Sequence, residues 1–240
     1  MDPMAPVDRS RLRAAARSAV RAAQRLNMRH GRFSQGKPLS IHFGYDRGTP
    51  VDRGYIDSFL AANAHRIKGR VLEIGDDDYS RRFGGDAITR QDILHVHAGN
   101  PVATIIGDIS DPAVLLDGAF DCIILTQTIH LIFDMATALR QVHRALKPGG
   151  VALITVPGIT PVDRHEWGGT WYWSLTPAAL HRLLEESFPG GSFDEMAFGN
   201  LYAATAFLHG AALEEVEREK LAPYDPAFPV IVAACAQRNA

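Results

Sequence analysis

Arg70-Val-Leu-Glu-Ile-Gly-Asp-Asp-Asp-Tyr79 decides the reading of this chain. It is a short apolar run ending in an acidic residue and a glycine, the pattern of a buried strand that stops at a tight turn. Two further strand-and-turn units follow, Ile105-Ile-Gly-Asp108 and Phe120-Asp-Cys-Ile-Ile-Leu-Thr-Gln127. Leu146-Lys-Pro-Gly-Gly150 then precedes another strand. Taken together these units predict a nucleotide-like cofactor laid across the carboxyl ends of a parallel sheet.

Outward from this stretch the pattern alternates. Strands are expected at Val71–Ile74, Ile93–Val96, Ala103–Ile106, Cys122–Leu125, Val151–Val156, Ser192–Phe198 and Val230–Ala236. Helices are expected from Pro50 to about Ile67, at Ala136–Leu146, at Thr176–Phe188 with Thr176-Pro177 as cap and first turn, and over most of Leu201–Lys220. Strands separated by helical segments imply right-handed crossovers. The expected fold is α/β: a doubly wound, mostly parallel sheet of seven strands.

The first residues differ. From Arg9 to Lys37 there are nine Lys/Arg and no Asp/Glu, with Arg13, Arg17, Arg21, Arg25 and Arg29 four apart. This predicts a basic helical arm over residues 1–36, capped at Asp8 or Ser10, before a domain at 37–240. The stripe reads either as a solvated face or as an arm for an acidic partner, a membrane or a nucleic acid.

Composition excludes several classes. Of 240 residues, 46% are hydrophobic and 22% charged, with a net charge of −2, so the whole molecule offers no electrostatic case for nucleic acid. No apolar run approaches the roughly 20 residues of a membrane helix, and the N-terminus lacks an apolar leader segment. Cys122 and Cys235 lie in apolar runs and read as buried thiols. A cytoplasmic, reduced setting is expected. No histidine pair has metal-ligand spacing on an expected helix, so no metal is expected. The helix at Ala211–Lys220 and the basic arm are candidate pairing surfaces for a homodimer.

In open α/β sheets, ligands sit outside the carboxyl ends of the strands. Gly75 lets backbone approach a ligand, with Ile74 and Asp76 beside it. Glu73 either orients that turn or meets a cationic group. Asp108, followed by Ile109, is placed to accept from an exocyclic adenine amine. Thr126 and Gln127 end strand four, where a ligand's reactive end would lie.

Here the chain resembles the class I S-adenosylmethionine-dependent methyltransferases. The matching pieces are Val71-Leu-Glu-Ile-Gly75, Gly107-Asp108, Phe120-Asp-Cys-Ile-Ile-Leu125, Thr126-Gln-Thr-Ile-His130, Leu139-Arg-Gln-Val-His-Arg-Ala-Leu-Lys-Pro-Gly-Gly150 and the strand after it. The flanks Phe43–Arg53 and Phe198–Gly210 look like a bacterial subgroup whose members often occur near, or fused to, glycosyltransferases. Two departures stand out. Only Gly75 survives of the family's glycine-rich first motif, with Asp77 and Tyr79 at the next glycine positions. The usual ribose-gripping acid after strand two is missing from Leu94-His-Val-His-Ala-Gly-Asn100. His97 or Asn100 stands in for it, or a motif-one aspartate reaches over.

The resemblance implies in-line methyl transfer to a nucleophile, most simply a hydroxyl on a sugar or glycosylated metabolite. Alignment alone supplies about 7–11 kcal/mol in such a reaction, and a base adds about 10²–10⁴-fold. Candidate bases are His130 after strand four and Asp163, His165 and Glu166 after strand five. Trp167, Trp171, Tyr172 and Trp173 either pack a loop or form a stacking wall for a substrate. Arg47 or Arg53 would hold the methionine carboxylate. A non-catalytic fold relative that senses the cofactor or binds a partner is the alternative.

Overall fold

The computed structural model describes residues 36–239. The basic arm lies outside the described residues, and with it Asp8, Ser10 and the arginine stripe. The described elements run α1 (Val51–Ala62), β1 (Gly69–Ile74), α2 (Asp78–Phe83), β2 (Ile88–His95), β3 (Ile105–Ile106), β4 (Phe120–Thr126), α3 (Met135–Ala145), β5 (Leu146–Pro157), α4 (Pro177–Ser187), β6 (Ser192–Phe198), α5 (Leu201–Leu208), α6 (Arg218–Leu221) and β7 (Ile231–Gln237).

One seven-stranded sheet results, ordered β3-β2-β1-β4-β5-β7-β6. The pairs among β1 to β5 are parallel. β7 inserts antiparallel between β5 and β6. The central strands alternate with period two, and each alternate set enters a different core. Leu72, Ile123, Leu125, Ala152 and Ile154 pack on one face with Leu139 and Val142 of α3 and Leu180 and Leu184 of α4. Val71, Cys122, Ile124 and Leu153 pack on the other with Ile56 and Phe59 of α1 and Phe207 of α5. Both faces are therefore covered, as a mostly parallel sheet requires.

The helix ends follow local chemistry. Asp134 caps α3 by accepting from Thr137 N, Thr176 caps α4 by accepting from Ala179 N with Pro177 in the first turn, and Asn200 caps α5 by accepting from Ala203 N. No helix among the described residues is long and apolar enough to cross a membrane.

Several expectations are corrected. Strand two begins at Ile88, well before Ile93, and β3 keeps only Ile105–Ile106 of the expected four residues. The short helix α2 directly after the first turn was not anticipated. The helix opening at Pro50 is α-helical only to Ala62 and then tightens into a single 3₁₀ turn at Ala64–Arg66. The long helix expected to Lys220 breaks after Leu208 and only the short α6, Arg218–Leu221, follows, so the pairing helix expected at Ala211–Lys220 is not formed.

The cause of that break is long-range. Gly210 has φ +68, and a Cβ there would sit 2.6 Å from Ser40 O. The backbone around it pairs with residues 39–50. His209 O accepts from Leu39 N and Ser40 N, and Leu213 N donates to Thr49 O. Arg47 clamps Glu215 through two bonds, Nε to Oε2 at 2.9 Å and Nη2 to Oε1 at 2.7 Å. The strap at residues 39–50 is thus fixed over the carboxyl edge of the sheet, directly before α1.

Candidate cofactor and acceptor site

Three segments meet at that edge: the strap leading into α1, the turns after β1 to β4, and the loop after β5. The first turn is built by Glu73. Buried at 1% exposure, its Oε1 accepts from Tyr79 N at 3.1 Å and its Oε2 from Ser80 N at 2.8 Å. Those N–H groups begin α2, so the carboxylate orients the loop, one of the two roles expected of it. Burial pushes its pKa up to about 7 despite these bonds. Gly75 has φ +89, and a Cβ added there would meet nothing within 4 Å. The backbone therefore faces open space, which fits a ligand approaching the chain closely.

Asn100 holds the same turn from the other side. Its Nδ2 donates to Gly75 O at 2.6 Å while its Oδ1 accepts from Val102 N. The side chain is committed to bracing the turn, which removes Asn100 as a stand-in for the missing ribose acid. His97 lies exposed in the same bend, its backbone N and O both against His95 Nδ1. Asp76 is exposed, and its Oδ1 accepts from Asp78 N. Asp108 follows β3, exposed, with Oδ1 accepting from Ser110 N and Oγ. Ile109 turns its side chain into the core, and Ile74 packs against that core at its edge.

At the end of β4, Thr126 is half-buried and Gln127 carries φ +48, uncommon for a residue with a side chain. Gln127 is held there by its N–H on Thr155 O at 2.9 Å. That kink feeds the 3₁₀ turn Ile129–Leu131 and drives His130 into the protein. Both His130 ring nitrogens are buried without a hydrogen-bond partner. Burial first, then the Arg53 charge, pushes its pKa down to about 3, so the ring is neutral at pH 7.

Arg53 comes from the first turn of α1. Its Nη1 donates to Tyr79 Oη at 3.3 Å, and its guanidinium lies 5.7 Å from the Tyr45 ring centroid. Burial opposes its charge, but Asp52 and the two tyrosines outweigh that and raise its pKa. Its Nε has no hydrogen-bond partner. Arg47, the other candidate for a ligand carboxylate, is committed to Glu215 instead.

The loop after β5 closes the edge. Trp171 is wedged between Phe43 of the strap, stacked at 5.7 Å, and His130, edge-on at 4.5 Å. Its Nε1 is buried and unpartnered. Trp167 reaches as far as His95 at the end of β2, with ring centroids 6.5 Å apart. Asp163 Oδ2 accepts from Trp167 N at 2.8 Å, which shapes the loop. His165 is exposed and stacks on His42 at 4.9 Å, and Glu166 is exposed beside it. Outside this layer, Tyr172 and Trp173 flank Phe133 at 5.4 and 5.6 Å. All three are exposed, Phe133 most of all at 69%.

Several of these residues escaped the sequence reading. Tyr45, Phe43 and Phe133 sit in segments whose local pattern says only loop, and tertiary contacts alone make them part of the site. Tyr79 was legible only as a lost glycine.

Residues 88–195 match a family model described as a methyltransferase domain. A search of curated proteins finds no match. Among solved structures, the chain is similar to an S-adenosylmethionine-dependent methyltransferase from Mesorhizobium loti, with TM-score 0.53 and 18% identity over 75% of this chain and 95% of that one. A comparable likeness, TM-score 0.51 and 13% identity over 78% and 94%, links it to a methyltransferase from Archaeoglobus fulgidus. The [4+2]-cyclase SpnF is also similar, with TM-score 0.51 and 18% identity over 76% and 80%. At such identities the likeness establishes the fold, which is the Rossmann-like methyltransferase fold. SpnF is named for another reaction, so the shared fold does not by itself assign the chemistry.

Proposed function

We propose that this chain transfers a methyl group from S-adenosylmethionine to a hydroxyl of a small molecule, a sugar or glycosylated metabolite. The observation that carries this reading is the set of buried, unpaired polar atoms on Arg53, His130 and Trp171, with Trp171 against His130 and Arg53 bonded to Tyr79 beyond the open turn at Gly75. Buried polar groups are normally paired, and an unpaired set of this size fits a ligand that completes it.

The cofactor, when bound, supplies an electrophilic methyl on a cationic sulfur. The chain's own residues hold and orient it. The Gly75 turn with Ile74 and Asp76 takes the backbone-facing part, and Asp108 accepts from the adenine amine. Arg53 pairs with the methionine carboxylate, and His97 meets the ribose in place of the missing acid. Thr126 and Gln127 line the path between the ends, and Ile109, its side chain in the core, anchors the backbone that carries Asp108. The loop after β5 excludes water from the transfer, which is then governed by alignment.

His130 is a poor base, because an imidazole pushed to about 3 takes up almost no proton at pH 7. It serves as a neutral hydrogen-bonding group beside Trp171. His165 at the mouth takes the acceptor's proton, and Asp163 positions the loop that carries it. The exposed aromatic rim of Phe133, Tyr172 and Trp173 offers faces on which a sugar ring stacks. The flanking segments' likeness to the glycosyltransferase-associated subgroup favours the same acceptor class.

Calorimetric titration with S-adenosylhomocysteine, beside a nicotinamide-dinucleotide control, tests the reading. Micromolar binding of the first alone is expected, followed by turnover in a screen of sugar acceptors. Absence of S-adenosylhomocysteine binding would sink the proposal.

A further inference from the structure

Asp52 is the residue this assignment leaves unexplained. It sits in the first turn of α1, where a helix dipole welcomes a surface carboxylate. Asp52 is not on the surface. It is 5% exposed, and its Oδ1 is buried without a hydrogen-bond partner. The nearest cation is imperfectly met, with Arg53 Nε 3.7 Å from Oδ2, too long for a hydrogen bond. A dipole does not account for a desolvated carboxylate oxygen left unpaired. Adjacent residues on one helical turn thus present opposite charges, each with an unpaired polar atom.

Their setting locates the pair. Arg53 reaches Tyr79 beside the turn after β1. Its guanidinium also lies 5.7 Å from the Tyr45 ring centroid, so the pair stands between the strap and the turn that carries Gly75 and Asp76. Asp52, Asp76 and Arg53 sum to −1. A sulfonium carrying an amino-acid tail has one carboxylate, one ammonium and one sulfonium charge, summing to +1.

We infer that Asp52 accepts the α-ammonium of the cofactor's amino-acid tail, so that Asp52 and Arg53 read the zwitterion as a pair. The inference rests on the proposed cofactor and adds a determinant of cofactor specificity. It also explains how a turn crowded with aspartates suits a cationic ligand. Burial raises the Asp52 pKa, with Arg53 only partly offsetting it, as expected of a carboxylate that lacks its cation.

The test compares S-adenosylhomocysteine with its analogue lacking the α-amino group, by calorimetry on the full chain. Wild type should bind the parent at least tenfold more tightly. Asp52→Asn should weaken the parent about tenfold while changing the analogue less than threefold. Equal wild-type affinities for the two ligands overturn the inference without any variant, and leave the cofactor reading intact. A variant that weakens both alike, or neither, also overturns it. Wild type that binds neither ligand removes the cofactor reading, and this inference with it.

Discussion

Replacing Glu73 by Gln should flatten the pH dependence of stability. Glu73 is buried, and its pKa stands near 7 against 4.5 for the unpaired group. The folded state therefore binds the proton more tightly than the unfolded one. A raised folded pKa contributes stability that is full below pH 4.5 and is lost as the pH rises through about 7. Linkage over that window gives a loss of about 2–3 kcal/mol between pH 5 and pH 8. Glutamine cannot titrate, so the variant lacks this slope. It carries a different cost, because Glu73 accepts from two backbone N–H groups, Tyr79 and Ser80. Glutamine's single carbonyl oxygen serves one, and the other faces an amide NH₂, at about 1–3 kcal/mol. The variant should thus be less stable at pH 5, and the gap should close or reverse by pH 8. Urea denaturation followed by tryptophan fluorescence, on both proteins from pH 5 to pH 8, measures the difference. All other titrating groups are shared and cancel. Parallel profiles would refute the reasoning, because they would mean Glu73 ionises in the fold as easily as in water.

The remaining predictions concern binding and turnover. Gly75→Ala places a methyl in open space at φ +89, so it should cost about 1–2 kcal/mol of strain and weaken S-adenosylhomocysteine by more than tenfold; unchanged affinity by calorimetry would separate the turn from the ligand. Trp171→Ala should lower stability by about 3 kcal/mol in urea, since the ring is wedged between Phe43 and His130. Phe133→Ala and Tyr172→Ala remove exposed rings, so stability should stay within about 0.5 kcal/mol while acceptor KM rises and cofactor affinity holds; a fall in Tm with constant KM would reassign the rim to packing. His165→Gln should lower kcat about 10²-fold with cofactor binding unchanged, and full activity would exclude it as the base.

The amino-acid sequence determined the sheet and its edge. Runs such as Val71–Ile74 and Cys122–Leu125 announce buried strands because side chains alternate faces every residue, a property of local backbone geometry. Gly75, Asp108 and Gln127 were placed correctly at strand ends for the same reason, and Thr176-Pro177 marked its helix start by capping chemistry alone. Tertiary structure decided what no window of sequence contains. The helix after Leu208 stops because His209 O and Leu213 N bond to Leu39, Ser40 and Thr49, more than 150 positions away in the chain. Arg47 and Arg53 look equivalent in sequence, but Glu215 claims the first and leaves the second beside Tyr79. His130 and Asp52 are ordinary residues in their local context. Burial strips water from both and leaves their polar atoms unpaired, and desolvation is set by everything packed around a side chain, not by its neighbours in sequence.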